Sequence, residues 1–194
     1  MSGSYGKGDT DFMHRRPLLD LLDGYEKQNP LEVECLTRIR ELVLKYANCF
    51  ERGCLPGHIT ASAWIVSRDR ERFLLTHHRK LGRWLQLGGH ADGDPDVFAV
   101  AQREAREESG LVEFDCLSNL PIDIDVHWIP ARLDEPGHEH HDIRFLLASK
   151  SDREVVVSGE SYALAWFDWA ALEADFSEPS LLRMGRKARR EIFG

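Results

Sequence analysis

A glycine- and aspartate-rich stretch, LGRWLQLGGHADGDPD, separates two apolar, β-branched runs from a helical stripe, and this strand–loop–helix order limits the folds open to the chain. Upstream, HITASAWIV and RFLLTHH flank the polar turn SRDRE and predict two antiparallel strands. Downstream, Val97, Val100, Ala101 and Ala105 recur on one side of a predicted helix that Gly110 ends.

Four more short strands are expected at IDIDVHWI, DIRFLLAS, REVVVS and ALAWFDW, with the proline- and histidine-rich PARLDEPGHEHH as a loop and a helix from about Ser180 to Phe193. Near the N-terminus, Pro17 and Pro30 can each open a helix. Leu18, Leu19 and Leu22 mark the first, and Leu36, Ile39, Val43 and Tyr46 the second. Residues 1–13 are polar and read as a loose arm. The layout is α+β: an N-terminal arm and helical hairpin over 1–56, then a domain over 57–194 in which helices group around a mixed sheet.

Lys plus Arg is 25 and Asp plus Glu is 33, a net charge of −8, which argues against a sequence-independent grip on nucleic acid phosphates. An anionic ligand would then need a cation or a local basic pocket. Cys35, Cys49, Cys54 and Cys116 form no C-x-x-C pair and do not resemble a disulfide framework. No run approaches the roughly 18 apolar residues of a membrane span, and the first residues lack an apolar signal, so a cytoplasmic location without membrane contact is expected.

Glu104, Glu107 and Glu108 stand at i, i+3 and i+4, which crowds three carboxylates onto one helix face. A solvated face in which Arg103 pairs with Glu107 is the plain reading. Hard divalent cations are the functional one, because Mg²⁺ is held by one or two carboxylates together with substrate phosphate.

The run GGHADGDPDVFAVAQREAREESGL resembles the signature of the Nudix hydrolases, G-x5-E-x7-R-E-U-x-E-E-x-G-U, where U is a bulky aliphatic residue. Gly89 takes the opening glycine, Arg103 and Glu104 the R-E, Glu107 and Glu108 the E-E, Gly110 the last glycine and Leu111 the final aliphatic. Ala105 is smaller than the usual aliphatic, and the first glutamate falls on Pro95, with Asp92, Asp94 and Asp96 beside it as substitutes or helix caps. The approach RFLLTHHRKLGRWLQLGGH also resembles the family, with Leu87 replacing the usual proline; the likeness covers roughly residues 57–172.

The resemblance implies a Nudix-like mixed β-sheet sandwiched between helices, and hydrolysis of a small-molecule diphosphate by water with Mg²⁺ or Mn²⁺. It implies Glu104, Glu107, Glu108 and the Gly89 carbonyl as metal ligands, with Arg103 orienting a neighbouring glutamate. The general base comes from the motif or from a later loop, where Glu160 is the candidate. Homodimers are frequent in the fold, so that state stays open.

Seven of the nine histidines fall between His77 and His141. His90, next to Gly89, is expected to line the site, and His138 and His140 to contact substrate from a long loop. Zinc, manganese or iron held by His138, His140 or His141 with Glu139 or Asp142 is a weaker reading, since H-x-H-H matches no standard metal motif. Cys49, Cys54 and His58 as a zinc site is weaker still. Trp166 and Trp169 are expected in the core, Trp128 is a candidate base-stacking platform, and Arg79 can meet phosphate.

Arg183, Arg186, Lys187, Arg189 and Arg190 fit cations at a helix C-terminus. Two other functions stay open. A catalytically silent Nudix domain binding a nucleotide or a partner protein is one, because of Pro95; an isomerase acting on isoprenyl diphosphates is the other.

Overall fold

The computed structural model describes residues 12–132, 136–151, 153–159 and 161–194. Helices α1 (Arg16–Gln28) and α2 (Val33–Lys45) form the expected hairpin. Pro17 sits in the first turn of α1, but α2 starts three residues after Pro30, because Glu32 N–H closes a turn on the Asn29 carbonyl at 3.1 Å.

The strands are β1 (Gly57–Val66), β2 (Arg72–His78), β3 (Arg83–Leu85), β4 (Leu87–His90), β5 (Phe114–Cys116), β6 (Asp123–Ile129), β7 (His138–Ser149) and β8 (Ser161–Asp168). The remaining helices are α3 (Val97–Ser109), the single turn α4 (Ala171–Ala174) and α5 (Pro179–Phe193). The architecture is the expected α+β with a mixed sheet. No helix among the described residues is long and apolar enough to cross a membrane.

At the centre of the sheet β1 and β7 run parallel, in register from Gly57↔Glu139 to Val66↔Ala148; the other pairings are antiparallel. β2 meets β1 only at Ile65↔Leu74 and Val66↔Phe73, then diverges to pair with β3 and β8. The N-terminal half of β1 takes β4 instead, from Thr60↔His90 to Ala63↔Leu87. The splayed strands leave a cleft between them.

Three local expectations are corrected. The glycine-rich stretch contains β3 and β4, because its backbone completes the edges that the divergence of β1 and β2 leaves open. His138–His141 open β7 rather than a loop, since β1 and β6 supply hydrogen-bonding partners on both sides. REVVVS forms no strand: it crosses the end of α3, where Val156 N–H donates to the Ser109 carbonyl at 2.8 Å.

Strand alternation sorts the central residues between two faces. Ile59, Ala61, Ile143 and Phe145 join one buried cluster with Val97, Val100 and Ala101 of α3 and with Leu18, Leu22, Ile39 and Val43 of the hairpin. On the opposite face Trp64, Val66, Leu146 and Ala148 pack against Leu181, Met184 and Ala188 of α5, with Trp169 in the same cluster. Each fully buried Leu or Ile contributes about 1.5–3 kcal/mol, so the hairpin is held to the sheet by an apolar seam.

Where that second face turns polar, ions replace packing. Arg144 on β7 is buried; its Nε donates to Asp142 at 2.8 Å, Nη1 to Asp123 at 3.0 Å, and Nη2 lies 3.2 Å from Asp125. Arg183 of α5 reaches Asp123 at 2.9 Å and Asp125 at 2.8 Å, while Lys187 bridges Asp123 at 2.8 Å and Glu32 at 2.5 Å. Part of the basic cluster on α5 is therefore an internal counter-charge to β6, whereas Arg186 pairs at the surface, with Glu173.

Removing one member of a buried ion network strands its partners, at a cost of about 3–5 kcal/mol. Arg144→Ala is expected to lose stability on that scale in urea unfolding, whereas Arg186→Ala leaves the midpoint unchanged. Although burial opposes it, His127, Arg144 and Arg183 hold the Asp125 carboxyl well below its ordinary value of 3.8. A group depressed in the folded state stabilises above its unfolded pKa and loses that contribution as pH falls. The stability gap between wild type and Asp125→Asn should therefore narrow as pH drops below 3.8, read from urea midpoints across that range.

Candidate active site

The polar part of the sheet floors a cleft of about 460 Å³, walled by the C-terminal half of α3 and lined by Gly88, Gly89, His90, Glu104, Glu108, Asp142 and Arg144 among others. Asp96 starts α3, accepting from Ala99 N–H at 3.0 Å, and Gly110 ends it in the left-handed conformation. The apolar stripe of the helix faces the core, which swings Glu104 and Glu108 towards β4.

Two glycines of β4 meet these carboxylates. Glu108 is buried and accepts from Gly88 N–H at 3.1 Å. A Cβ on Gly89 would stand 2.4 Å from Glu104 Oε2, so only glycine leaves room for the carboxylate against the strand. Arg103 donates to Glu104 Oε1 at 2.9 Å and to the His90 carbonyl at 2.7 Å, fixing helix to strand. Burial raises the Glu104 carboxyl above its ordinary range, with Arg103 opposing. Glu107 is exposed, and the cleft lining excludes it.

Pro95, at the signature's first glutamate, lines a separate groove of about 660 Å³ with Pro17 and Leu21. Asp92 is paired with Arg52 at 2.5 Å and Asp94 accepts from Asp96 N–H at 2.9 Å, so all three neighbouring aspartates are engaged in shaping the loop.

His90, Trp128, His138 and His140 line the cleft, as does Arg52. Arg79 stands outside it, stacked 5.2 Å from the Tyr162 ring and bonded to the Ser161 carbonyl at 3.3 Å. Glu160 lies outside the described residues. Trp128 is 61% exposed at the rim, and Gly137 lets the chain pass against its ring: a Cβ there would meet Cζ2 at 2.4 Å.

Alternation divides the HEHH segment. His138 and His140 face the cleft, where His140 is register partner to His58 and His127; Glu139 and His141 turn to the other face, and Glu139 meets Arg38 of α2. The ring of His58 lies 5.1 Å from His90, 4.8 Å from His138 and 4.9 Å from His140. Burial first, then the neighbouring charges that include the other histidines, lower His90 to about 4 and His140 to about 2. Cys49 and Cys54 are in the apolar core rather than with His58, and burial pushes the Cys49 thiol up to about 12.

Asp125, Asp142 and Arg144 are cleft residues that their types alone do not mark as such. The available signal is period two: His58, Thr60 and Ser62 on β1, Asp123, Asp125 and His127 on β6, and His138, His140, Asp142 and Arg144 on β7 share one face. Thr60 and Ser62 donate to Asp142 at 3.1 and 2.8 Å.

The two glycines can be separated by experiment. A Cβ on Gly88 would meet Ser62 Cβ at 2.3 Å and the Ala61 carbonyl at 2.7 Å, strand atoms that cannot yield cheaply; on Gly89 it meets only the end of a flexible glutamate. Gly88→Ala is expected to destabilise by about 1–3 kcal/mol in chemical unfolding, and Gly89→Ala by clearly less.

A family model described as the NUDIX domain matches residues 56–187, from the start of β1 into α5. No curated protein matches the chain. Among solved structures, a NUDIX-family hydrolase from Clostridium perfringens is similar at 25% identity and TM-score 0.52, covering 69% of this chain and 97% of that one. A C. elegans Ap4A hydrolase binary complex aligns at 18% identity and TM-score 0.54, over 69% and 96% of the two chains. The E. coli dihydroneopterin triphosphate pyrophosphohydrolase gives 17%, 0.52, 68% and 95% in the same order. With the model matching well over half its length and the signature helix set against the cleft, the chain belongs to the Nudix family.

Proposed function

We propose that this protein is a divalent-metal-dependent hydrolase that cleaves a diphosphate linkage in a nucleoside diphosphate derivative or a similar organic diphosphate. The observation that carries the reading is the pair Glu104 and Glu108, presented by one helix face to a cleft, Glu104 in the room left by Gly89 and Glu108 on the Gly88 N–H. Two crowded carboxylates, one of them shifted upward by burial, are a hard-oxygen donor set suited to Mg²⁺ or Mn²⁺. Such an ion, when bound, neutralises phosphate charge and lowers the pKa of an attacking water.

The chain's own residues do the rest. Arg103 holds Glu104 in place, and Gly88 N–H orients Glu108. Arg52, Lys80, Arg83 and Arg132 in the lining give a net-acidic protein a local cationic rim for the substrate phosphates. Trp128 offers a flat exposed surface at the mouth on which a base can stack. Hydrolysis makes one P–O bond from water and breaks the P–O bond of the anhydride, whose electron pair leaves with the departing phosphate.

The test is product formation from sugar nucleotides, nucleoside triphosphates, dinucleoside polyphosphates and ADP-ribose with Mg²⁺ or Mn²⁺. Changes to residues that merely support a metal ligand cost roughly 10–100-fold, so Glu104→Gln and Glu108→Gln should each lower activity by about 100-fold or more. Trp128→Ala is expected to raise KM for a nucleotide substrate by about tenfold with kcat preserved, the loss of one stacked base. Absence of turnover across the panel, with nucleotide binding retained, would replace this reading with a silent binding domain.

A further inference from the structure

The carboxylate face of α3 leaves unexplained the histidines brought together by β1 and β7. His58 and His138 are buried, at 0% and 2% exposure, and with His140 they offer three ring nitrogens that all lie within 4.8 Å of one another. The three are adjacent by construction: His58 and His140 are register partners across the parallel pair, and His138 is one pleat further along β7. We propose that His58, His138 and His140 form a binding site for a single Zn²⁺ ion at the cleft floor, distinct in ligand chemistry from the glutamates of α3.

The donor set suits a borderline-soft ion. Imidazole nitrogens select zinc and its transition-metal neighbours, whereas Mg²⁺ takes oxygen. Zinc–nitrogen bonds of about 2.0–2.1 Å in a tetrahedron require nitrogens about 3.4 Å apart. Nitrogens already within 4.8 Å reach that spacing by small side-chain rotations rather than backbone movement.

One ligand is already oriented. His138 Nδ1 lies 2.9 Å from the Pro136 carbonyl, which can only accept, so the proton is on Nδ1 and the lone pair on Nε2. This is the arrangement by which protein carbonyls fix metal-binding histidines. His140 Nε2 is buried with no hydrogen-bond partner among the described residues, a cost that a metal bond would remove. The ring of His90 lies 4.9 Å from His140, and both residues line the cleft, from which water or a substrate oxygen would supply the fourth ligand of a tetrahedral ion.

The site is tested on the full chain, stripped with a chelator and titrated with ZnCl₂ in excess Mg²⁺, with bound metal counted by elemental analysis. A Co²⁺-loaded sample reports tetrahedral nitrogen coordination by its visible spectrum. The expected result is a single tight Zn²⁺ equivalent that persists in Glu104→Gln and Glu108→Gln but is lost in His140→Asn and in His58→Gln. His77→Ala, a half-buried histidine of β2 outside the cluster, should keep it. Circular dichroism confirms that each variant is folded, and His140→Asn, at the least buried of the three ligands, is the decisive one.

Zinc retained in both cluster variants, or lost in the glutamate variants, would overturn the proposal, as would no stoichiometric zinc in wild type. The readout is binding, so it stands or fails independently of whether the protein hydrolyses a diphosphate.

Discussion

Arg144 is the point on which the polar half of this fold turns. It sits at the centre of a sheet covered on both faces, with three aspartates around it from β6 and β7. A lone guanidinium there would carry a desolvation cost of several kcal/mol, and so would each unpaired carboxylate. Together, and with Arg183 and Lys187 supplied by α5, they satisfy one another. The network fixes where α5 crosses the sheet and, through Glu32, ties it to the turn between α1 and α2. It also lets the sheet be polar on its cleft side while the same strands bury Ile143, Phe145 and Leu147 on the other.

Two kinds of side-chain donor are thereby set side by side. The helix presents oxygen, held close to β4 by the missing side chain of Gly89 and by the Gly88 N–H. The sheet presents nitrogen, from histidines that strand pairing stacks at neighbouring positions. His90 joins them in sequence and in space: its carbonyl receives Arg103 and its ring lies against His58 and His140.

Much of the site was legible in the one-dimensional pattern. The i, i+3, i+4 spacing of Glu104, Glu107 and Glu108 places them on one face of a helix whatever surrounds it, and Gly110 stops that helix because a left-handed residue is needed there. The histidine-rich segment was harder. HEHH reads as a loop because its neighbours are Pro136 and Gly137, yet β1 and β6 each provide a hydrogen-bonding edge that draws it into β7. REVVVS shows the opposite case, with good strand composition but no strand partner among the described residues, its Val156 N–H going instead to the end of α3.

What the sequence determined by itself was the local grammar: the helix and its carboxylates, the caps, and the alternation that divides each strand into an apolar and a polar side. Which polar sides meet was decided by tertiary structure. Nothing local links His58 to His140, or Asp123 to Arg183, because these are separated by whole elements and brought together only by the parallel pairing of β1 with β7 and the crossing of α5. Register is a collective property of the sheet, set by which apolar side chains must be buried together, and the polar residues opposite them are carried into place by that choice.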